Sequence, residues 1–510
     1  MAIAAIIDVM SIQKYIYSSN KLKENIGASL IISGLFKEKI REPYCKYFES
    51  ALEKKGYEGG GNALLIFEDI DKQNVINTLR EFTLHVLLNY PGIDLGIGID
   101  YDFDGFNLDN VYSQLQISKN RFIPISAIPS HGITAECIRT GLSAEIFYES
   151  NKQSSYISYS SYAKLKKIDD IKSGKYFDVM QKILSDSGLH EKYCFTDELE
   201  NLGSKKGEDS HIAFVAIDGN SMSDRFMACN SLDEKKQLSN DLRTAVEKSF
   251  IKLLEIINDE FDFINEELDI KSEKGKKVLP IRPIVLGGDD VSFICEGSMG
   301  VYFAYKYLKF FEAQKVSDGK QLSACAGVAI AHAKYPIYRI QKIAEELLSG
   351  AKDKRKKDKD IKGDSYIDFQ MFYGGIFGEL GDIRKSHYEN VYGKMYMRPY
   401  KEEDLENLMS PLRKMKRLSE SKIKEIRTVL NKTKSERSNF IEHMKMRSNP
   451  SPNENENSNS GSKSFSIPSQ ILGQKYDNDF YLNNETPYFD MIELLEILPD
   501  YVIERGSLNG

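Results

Sequence analysis

Tryptophan is absent from the 510 residues, histidine occurs only seven times and cysteine six. Nothing functional follows from the missing tryptophan, and the aromatic content falls on 29 tyrosines and 26 phenylalanines. The cysteines (Cys45, Cys137, Cys194, Cys229, Cys295, Cys325) are scattered, and none stands in a C-x-x-C spacing that chelates zinc. They read as reduced thiols, mostly in the core. No uninterrupted apolar run approaches the roughly 18 residues a membrane span needs. The opening MAIAAIIDV has no basic stretch and carries an acid at Asp8, so it does not read as a secretory signal. The expectation is a cytoplasmic chain without a membrane partner. An excess of positive charge is also lacking: 69 Lys+Arg face 76 Asp+Glu, a net −7. That removes a histone-like or polybasic-anchor function, and any nucleic-acid binding has to come from local basic clusters. What remains is globular in composition, at 41% hydrophobic and 28% charged, with length for about three domains.

Residues 3–9 read as a short strand, followed by helical patterning from Ile12 to about Lys55. Gly59-Gly60-Gly61-Asn62 then separates this segment from an apolar strand over 63–67, a polar helix over 72–88 and a strand over 95–99. The order is β-α-turn-β-α-β. It recurs as a strand at 211–217, a long helix at 239–257, strands at 282–286 and 291–295 flanking Gly287-Gly288-Asp289-Asp290, a helix at 301–313 and a strand at 323–330. Aligning Asp8 with Asp218, Gly61 with Gly288 and Gly96 with Gly327 gives offsets that drift only from 210 to 231 residues, which predicts a duplicated domain. The expected division is a first copy over 1–140, a connector or small inserted domain over 141–208, a second copy over 209–385 and a charged helical region over 386–510. Within the last, the Asn-, Ser- and Glu-rich run 449–462 has no apolar side chains to bury, and a loop over about 447–468 is expected to be disordered. The apolar stretch 488–503 is expected to dock back on the body.

The chemistry concentrates in Pro283–Cys295. Two apolar strands joined by Gly-Gly-Asp-Asp make a hairpin whose glycines permit unusual backbone angles and whose tip carries carboxylates. An ordinary hairpin turn has the same residue types. The strand 212–217 ends in Asp218-Gly219-Asn220, and in a β-α-β-β unit it lies beside the hairpin, so that Asp218 and Asp289 converge. Carboxylates without His or Cys suit Mg²⁺ or Mn²⁺ and phosphoryl chemistry.

Four ordered blocks carry a resemblance: the strand 212–218 with Gly219, the Gly287–Asp290 motif, the segment Ser323–Pro336, and Ala344–Leu348 with Ala351-Lys352. Over these the second half resembles the palm domain of the CRISPR polymerase family, the large subunit of type III CRISPR effector complexes, itself similar to GGDEF nucleotide cyclases. The first half resembles the family's degenerate first palm through 12–16, Lys21-Leu22 and Gly27-Ala28-Ser29, with Asn62-Ala63 set against Asp289-Asp290. The resemblance implies an α+β fold with two ferredoxin-like palms (βαββαβ, antiparallel sheet with helices on one face) and a C-terminal helical domain. It implies nucleotidyl transfer from ATP to linear or cyclic oligoadenylate in antiviral signalling, with two divalent ions. Asp218, Asp289 and Asp290 are the implied catalytic and metal-binding residues. Gly219, Asn220, Gly287, Gly288, Lys352 and, on the first palm, Ser29 are the implied nucleotide contacts.

The chain departs from the family in having Asn220 where many members have a second Asp. It has no His-Asp dipeptide, so the family's HD nuclease is expected to be missing, and the lone Cys137 predicts no zinc. Beyond Lys352, the run to Lys357 reads as a solvated helix end, His332 as structural, and the region 405–443 as scaffold or partner surface. Two other readings stay open: a non-catalytic scaffold that binds nucleotide, RNA or protein subunits of a CRISPR-type ribonucleoprotein, and a diguanylate-cyclase-like enzyme using GTP.

Overall fold

The computed structural model describes residues 2–54, 56–121, 135–149, 154–172, 179–207, 209–358, 363–372, 378–448 and 467–509. The stretch expected to be disordered lies, over 449–466, outside the described residues.

The first sheet is built from β1 (Ala2–Met10), β2 (Tyr57–Gly59), β3 (Asn62–Glu68) and β4 (Asp94–Phe103), in the order β2-β3-β1-β4 with every neighbour antiparallel. Between β1 and β2 run α1 (Ile12–Ile16), α2 (Leu22–Gly34) and α3 (Tyr44–Glu53); α4 (Lys72–Asn89) joins β3 to β4, and α5 (Asp109–Arg121) follows β4. Alternate residues divide the strands between two faces. Ile3, Ala5, Ile7, Leu65 and Phe67 join the core that holds Phe48 and Phe82 of α3 and α4. Ala4, Ile6, Leu64 and Ile66 pack instead on Val111 and Leu115 of α5.

After the connector, whose helix α6 (Tyr159–Lys172) lies against α2, the same plan repeats. Strands β5 (His211–Gly219), β6 (Ile281–Gly287), β7 (Asp290–Glu296) and β8 (Ala324–His332) stand in the order β6-β7-β5-β8, again antiparallel. The sheet then extends beyond the repeat through β9 (Tyr366–Met371), parallel to β8, and β10 (Tyr400–Lys401), antiparallel to β9. The helices inside the repeat, α8 (Leu232–Asp259) and α9 (Gly300–Glu312), share one face: Phe250 meets Phe293 with ring centroids 6.1 Å apart, and Gly300 sits on Ala213 and Val328. A short α7 (Met222–Met227) precedes them, and α10 (Ile337–Lys357) covers the opposite face. Each palm therefore adds to the expected one-sided βαββαβ unit a helix on its second face. Covered on both sides, β5 reads as a nearly continuous apolar run rather than an alternating one.

Strand register corrects the alignment of the copies. Asp8 stands opposite Asn62 and Gly96, while Asp218 stands opposite Asp290 and Cys325. Gly59 pairs with Asn62 as Gly287 pairs with Asp290, and Gly60 and Gly288 share a left-handed backbone, φ 59° and 62°. Gly59-Gly60-Gly61-Asn62 thus superposes on Gly287-Gly288-Asp289-Asp290, one residue away from the sequence alignment. In the last strand Gly98, not Gly96, matches Gly327. The reason is close packing: a Cβ at Gly98 would lie 2.3 Å from the Val111 carbonyl oxygen, and one at Gly327 2.1 Å from that of Ala344.

The C-terminal region closes on the second palm through α11 (Tyr488–Ile497), where the fully buried Arg398 is paired with Glu493 and Asp490. Among the described residues no helix is long and apolar enough to cross a membrane.

Gly327→Ala is expected to cost about 2–3 kcal/mol, read as a lower thermal midpoint by calorimetry. Gly381→Ala, in a helix with nothing within 4 Å of the added methyl, is expected to leave the midpoint unchanged or slightly raised.

Candidate active site at the palm interface

Three strand ends of the second palm define the site. Asp218 is the penultimate residue of β5, Asp289 lies in the two-residue turn between β6 and β7, and Asp290 opens β7. The amide of Gly219 donates to the Asp289 carbonyl at 3.1 Å, folding the turn over the end of β5. A side chain at 219 would meet Asp289 Cβ at 2.9 Å and the Met222 side chain at 2.6 Å, so glycine is needed there. Strand alternation turns Asp218, Asp290, Ser292, Ala216 and Gly327 to the face covered by α10. From that helix Lys352 donates to the Asp218 carboxylate. Two turns earlier on the same stripe stands Glu345, and one turn before it Gln341, whose amide donates to Gln13 of the first palm at 2.9 Å.

The electrostatics follow from four carboxylates gathered around one lysine. Burial, and then the Asp218 charge, push the Asp289 carboxyl up to about 6. Burial, and then the charges of Glu345, Asp218 and Asp289, push Asp290 up to about 7. Burial also raises Glu345, against the nearby side-chain amides of Gln13 and Gln341, which favour its charged form. Such a set, all oxygen donors and short of positive charge, has the chemistry of a divalent-cation site for a hard ion. Among the described residues no three acidic, histidine or cysteine side chains stand close enough to hold an ion as arranged, and Asp218 is held by Lys352.

The first palm forms the other wall. Tyr17 places its hydroxyl 2.7 Å from Ser292 Oγ and its ring edge-on to Phe214, 5.2 Å between centroids. Ser29 of α2 is buried and donates to the Ile284 carbonyl of β6. At the tips of the two hairpins, a Cβ on Gly288 would lie 3.8 Å from the Gly60 backbone. The first palm keeps part of the same apparatus: Lys119 of α5, matching Lys352 in position, pairs with Asp8 at 2.6 Å. Where the second palm has Asp289 and Asp290, it has Gly61 and Asn62.

Of the residues singled out from sequence, Asp218, Asp289, Asp290, Gly219, Gly287, Gly288 and Lys352 come together. Ser29 lies at the interface with its hydroxyl engaged by the hairpin strand. Asn220 is buried: its amide donates to the Ser323 carbonyl at 2.8 Å, and its side chain joins Ser323 Oγ and the Cys325 thiol. It braces β8 against β5. His332 lies at the opposite end of β8, packed on His211. Sequence reasoning placed Gln13 and Glu345 within blocks of resemblance without a role, and passed over Tyr17 and the Asp8–Lys119 pair. Helical spacing held a signal for Glu345, seven residues before Lys352, and the duplication held one for Asp8.

Residues 211–360 match the family model described as Cas10/Cmr2, second palm domain. No curated protein matches the chain. Solved structures similar to it include a Csm1-Csm4 cassette in complex with one ATP (14% identity, TM-score 0.44), one in complex with AMPPNP (14%, 0.43) and an apo cassette (14%, 0.40). In each, 69% of this chain aligns with 53% of the other, so it spans about half the length of those chains. The family match is to the second palm, residues 211–360.

The raised carboxyls set a pH dependence. A carboxyl whose folded value lies above its unfolded value of about 4 contributes stability that is fully present below about pH 4 and lost as pH rises through about 6 to 7. The metal-free thermal midpoint is therefore expected to fall between about pH 5 and pH 8 more steeply than that of Asp290→Asn. Mn²⁺ is expected to raise the midpoint more at the higher pH. Equal Mn²⁺ shifts at both would contradict the site's electrostatics.

Proposed function

We propose that the chain is a nucleotidyltransferase that condenses ATP into linear or cyclic oligoadenylate, acting in antiviral signalling. The observation that carries this reading is the convergence of Asp218, Asp289 and Asp290 beside a helix-borne lysine, at an interface between two palms. In the reaction a ribose 3′-oxygen forms a bond to an α-phosphorus, the bond from that phosphorus to pyrophosphate breaks, and the hydroxyl proton leaves to solvent. Asp218 and Asp289, with Asp290, are the residues that would hold Mg²⁺ or Mn²⁺. Bound there, two such ions supply activation of the hydroxyl and neutralisation of charge on the phosphates.

The protein's own groups do the positioning. Lys352, paired here with Asp218, would neutralise a triphosphate oxygen where Asp218 holds a cation. Lys119 has the same relation to Asp8 on the first palm, and supports a second triphosphate seat there. With Gly61 and Asn62 in place of two carboxylates, that seat presents a nucleotide rather than activating one. Two seats in one chain replace a bimolecular encounter by a positioned one. The reading takes ATP as the nucleotide and protein or RNA subunits of a CRISPR-type complex as partners.

Incubation with ATP, GTP or both, with Mg²⁺ or Mn²⁺, followed by mass spectrometry, tests the reading directly. Oligoadenylate and pyrophosphate are expected from ATP, and an Asp289→Asn, Asp290→Asn double variant is expected to lose at least about 100-fold in rate. Products from GTP alone would shift the reading to a diguanylate-cyclase-like enzyme. Nucleotide bound without turnover, with RNA or protein subunits co-purifying, would shift it to a scaffold. Lys119→Ala is expected to lower the condensation rate by about tenfold, in keeping with one lost charge-assisted contact. An unchanged rate would remove the second seat from the scheme.

A further inference from the structure

Glu345 is the one acidic side chain of the site that belongs to neither the hairpin nor β5. It projects from the stripe of α10 that begins at Gln341, passes Leu348 and ends at Lys352. Both ends of the stripe are anchored, Lys352 on Asp218 and Gln341 on Gln13 of the first palm. Gln341 Nε2 also stands 3.5 Å from Glu345 Oε1, so that Gln341 links Glu345 to Gln13. The helix beneath is seated without slack, since the Ala344 carbonyl and Leu348 amide lie directly over Gly327. Glu345 is thus tied through Gln341 to a residue of the other palm, on the helix that covers the face of Asp218 and Asp290.

The two copies differ at this position. The register that matches Lys119 with Lys352 matches Tyr112 with Glu345, and matching Asp8 with Asp218 matches Gln13 with Ser223. The carboxylate therefore occurs only in the palm that carries the Asp-Asp tip, and its glutamine anchor only in the palm that does not. Like charges held together in a half-buried place repel, and the repulsion is relieved by a cation. A carboxylate free to swing into solvent would give little of this effect, so the anchor matters as much as the charge.

We propose that Glu345, linked through Gln341 to Gln13 across the palm interface, is a positioning residue that raises the cation affinity of the Asp218–Asp289–Asp290 cluster and makes that affinity depend on the seating of the first palm. The assignment rests on the proposed function, in that the cluster is taken as a cation site. Its test reads the cation alone and needs no turnover.

Mn²⁺ binding to the full chain is titrated by electron paramagnetic resonance, with thermal midpoints measured with and without Mn²⁺. Glu345→Gln is expected to weaken Mn²⁺ binding by about tenfold, the effect of one nearby charge at partly screened distance, and to raise the metal-free midpoint while shrinking the shift Mn²⁺ produces. A purely structural role for Glu345 would lower the metal-free midpoint and leave Mn²⁺ affinity unchanged, and that result would overturn the proposal. Gln13→Ala is expected to weaken Mn²⁺ binding in wild type and to have no further effect in the Glu345→Gln background; additive effects would overturn the clamp. Glu345→Asp, which keeps the charge on a shorter arm, is expected to recover part of the affinity. If the wild-type chain binds Mn²⁺ as described but makes no oligonucleotide, the proposed reaction fails and the clamp stands. If wild type binds no Mn²⁺, both fail.

Discussion

The site depends on how closely a helix is laid on a strand. At Gly327 the backbone of α10 rests on β8 with no room for a methyl group, and this contact sets the height and rotation of the whole helix. Lys352 stands eight residues beyond Ala344, a little over two turns, and so falls over the end of β5, where Asp218 emerges. A bulkier strand residue would lift the helix and carry the lysine away from the carboxylate, although neither charged residue had changed. The first palm repeats the device at Gly98, with Lys119 eight residues beyond Val111, and there too the lysine finds an aspartate. The ion pairs are consequences of backbone contact, and their recurrence in both copies argues that packing was kept while the tip residues diverged.

That divergence organises the chemistry. The hairpin tips approach at Gly60 and Gly288, so the two palms face each other across a shared boundary rather than offering separate sites. Side chains from the first palm reach the second at Tyr17, Ser29 and Gln13, each touching an element that carries or flanks a carboxylate. The connector helix α6 presses on α2 from behind, with Lys164 donating to the Tyr15 carbonyl and Ser18, and Glu24 taking hydrogen bonds from Arg139 and Ser161. The wall opposite the carboxylates is therefore backed by buried polar contacts and behaves as part of one rigid surround.

Much of this was legible in the sequence, for reasons that can be named. The apolar run ending in Asp218 and the glycine-flanked Asp289-Asp290 mark strand ends and a turn by local chemistry alone, and the strand order of a βαββαβ unit brings them together. The repeat was visible too, but its register was not. Three consecutive glycines at 59–61 give no internal landmark, and only hydrogen-bond pairing shows that Asn62 occupies the place of Asp290. Likewise Gly96 and Gly98 look alike until a helix has to lie on one of them. The backbone of Asn220 reads as a phosphate contact because it closely follows the key aspartate; its amide donates to the Ser323 carbonyl and its side chain joins Ser323 and Cys325, contacts across some hundred residues that no local pattern announces. Glu345 was given no role because an acid on a charged helix looks like any solvated residue until Gln341 is seen to link it to Gln13.

The asymmetry between Gly61-Asn62 and Asp289-Asp290 has a consequence for heredity. In a symmetric dimer every substitution appears twice, so a change that suits one half is imposed on the other, and a clamp such as Gln13 against Glu345 would demand both residues in both subunits. A tandem chain escapes this coupling. Each palm is free to specialise alone, one keeping the carboxylates while the other supplies the side chains that hold them in place, and the linkage guarantees that the two versions always meet in equal number.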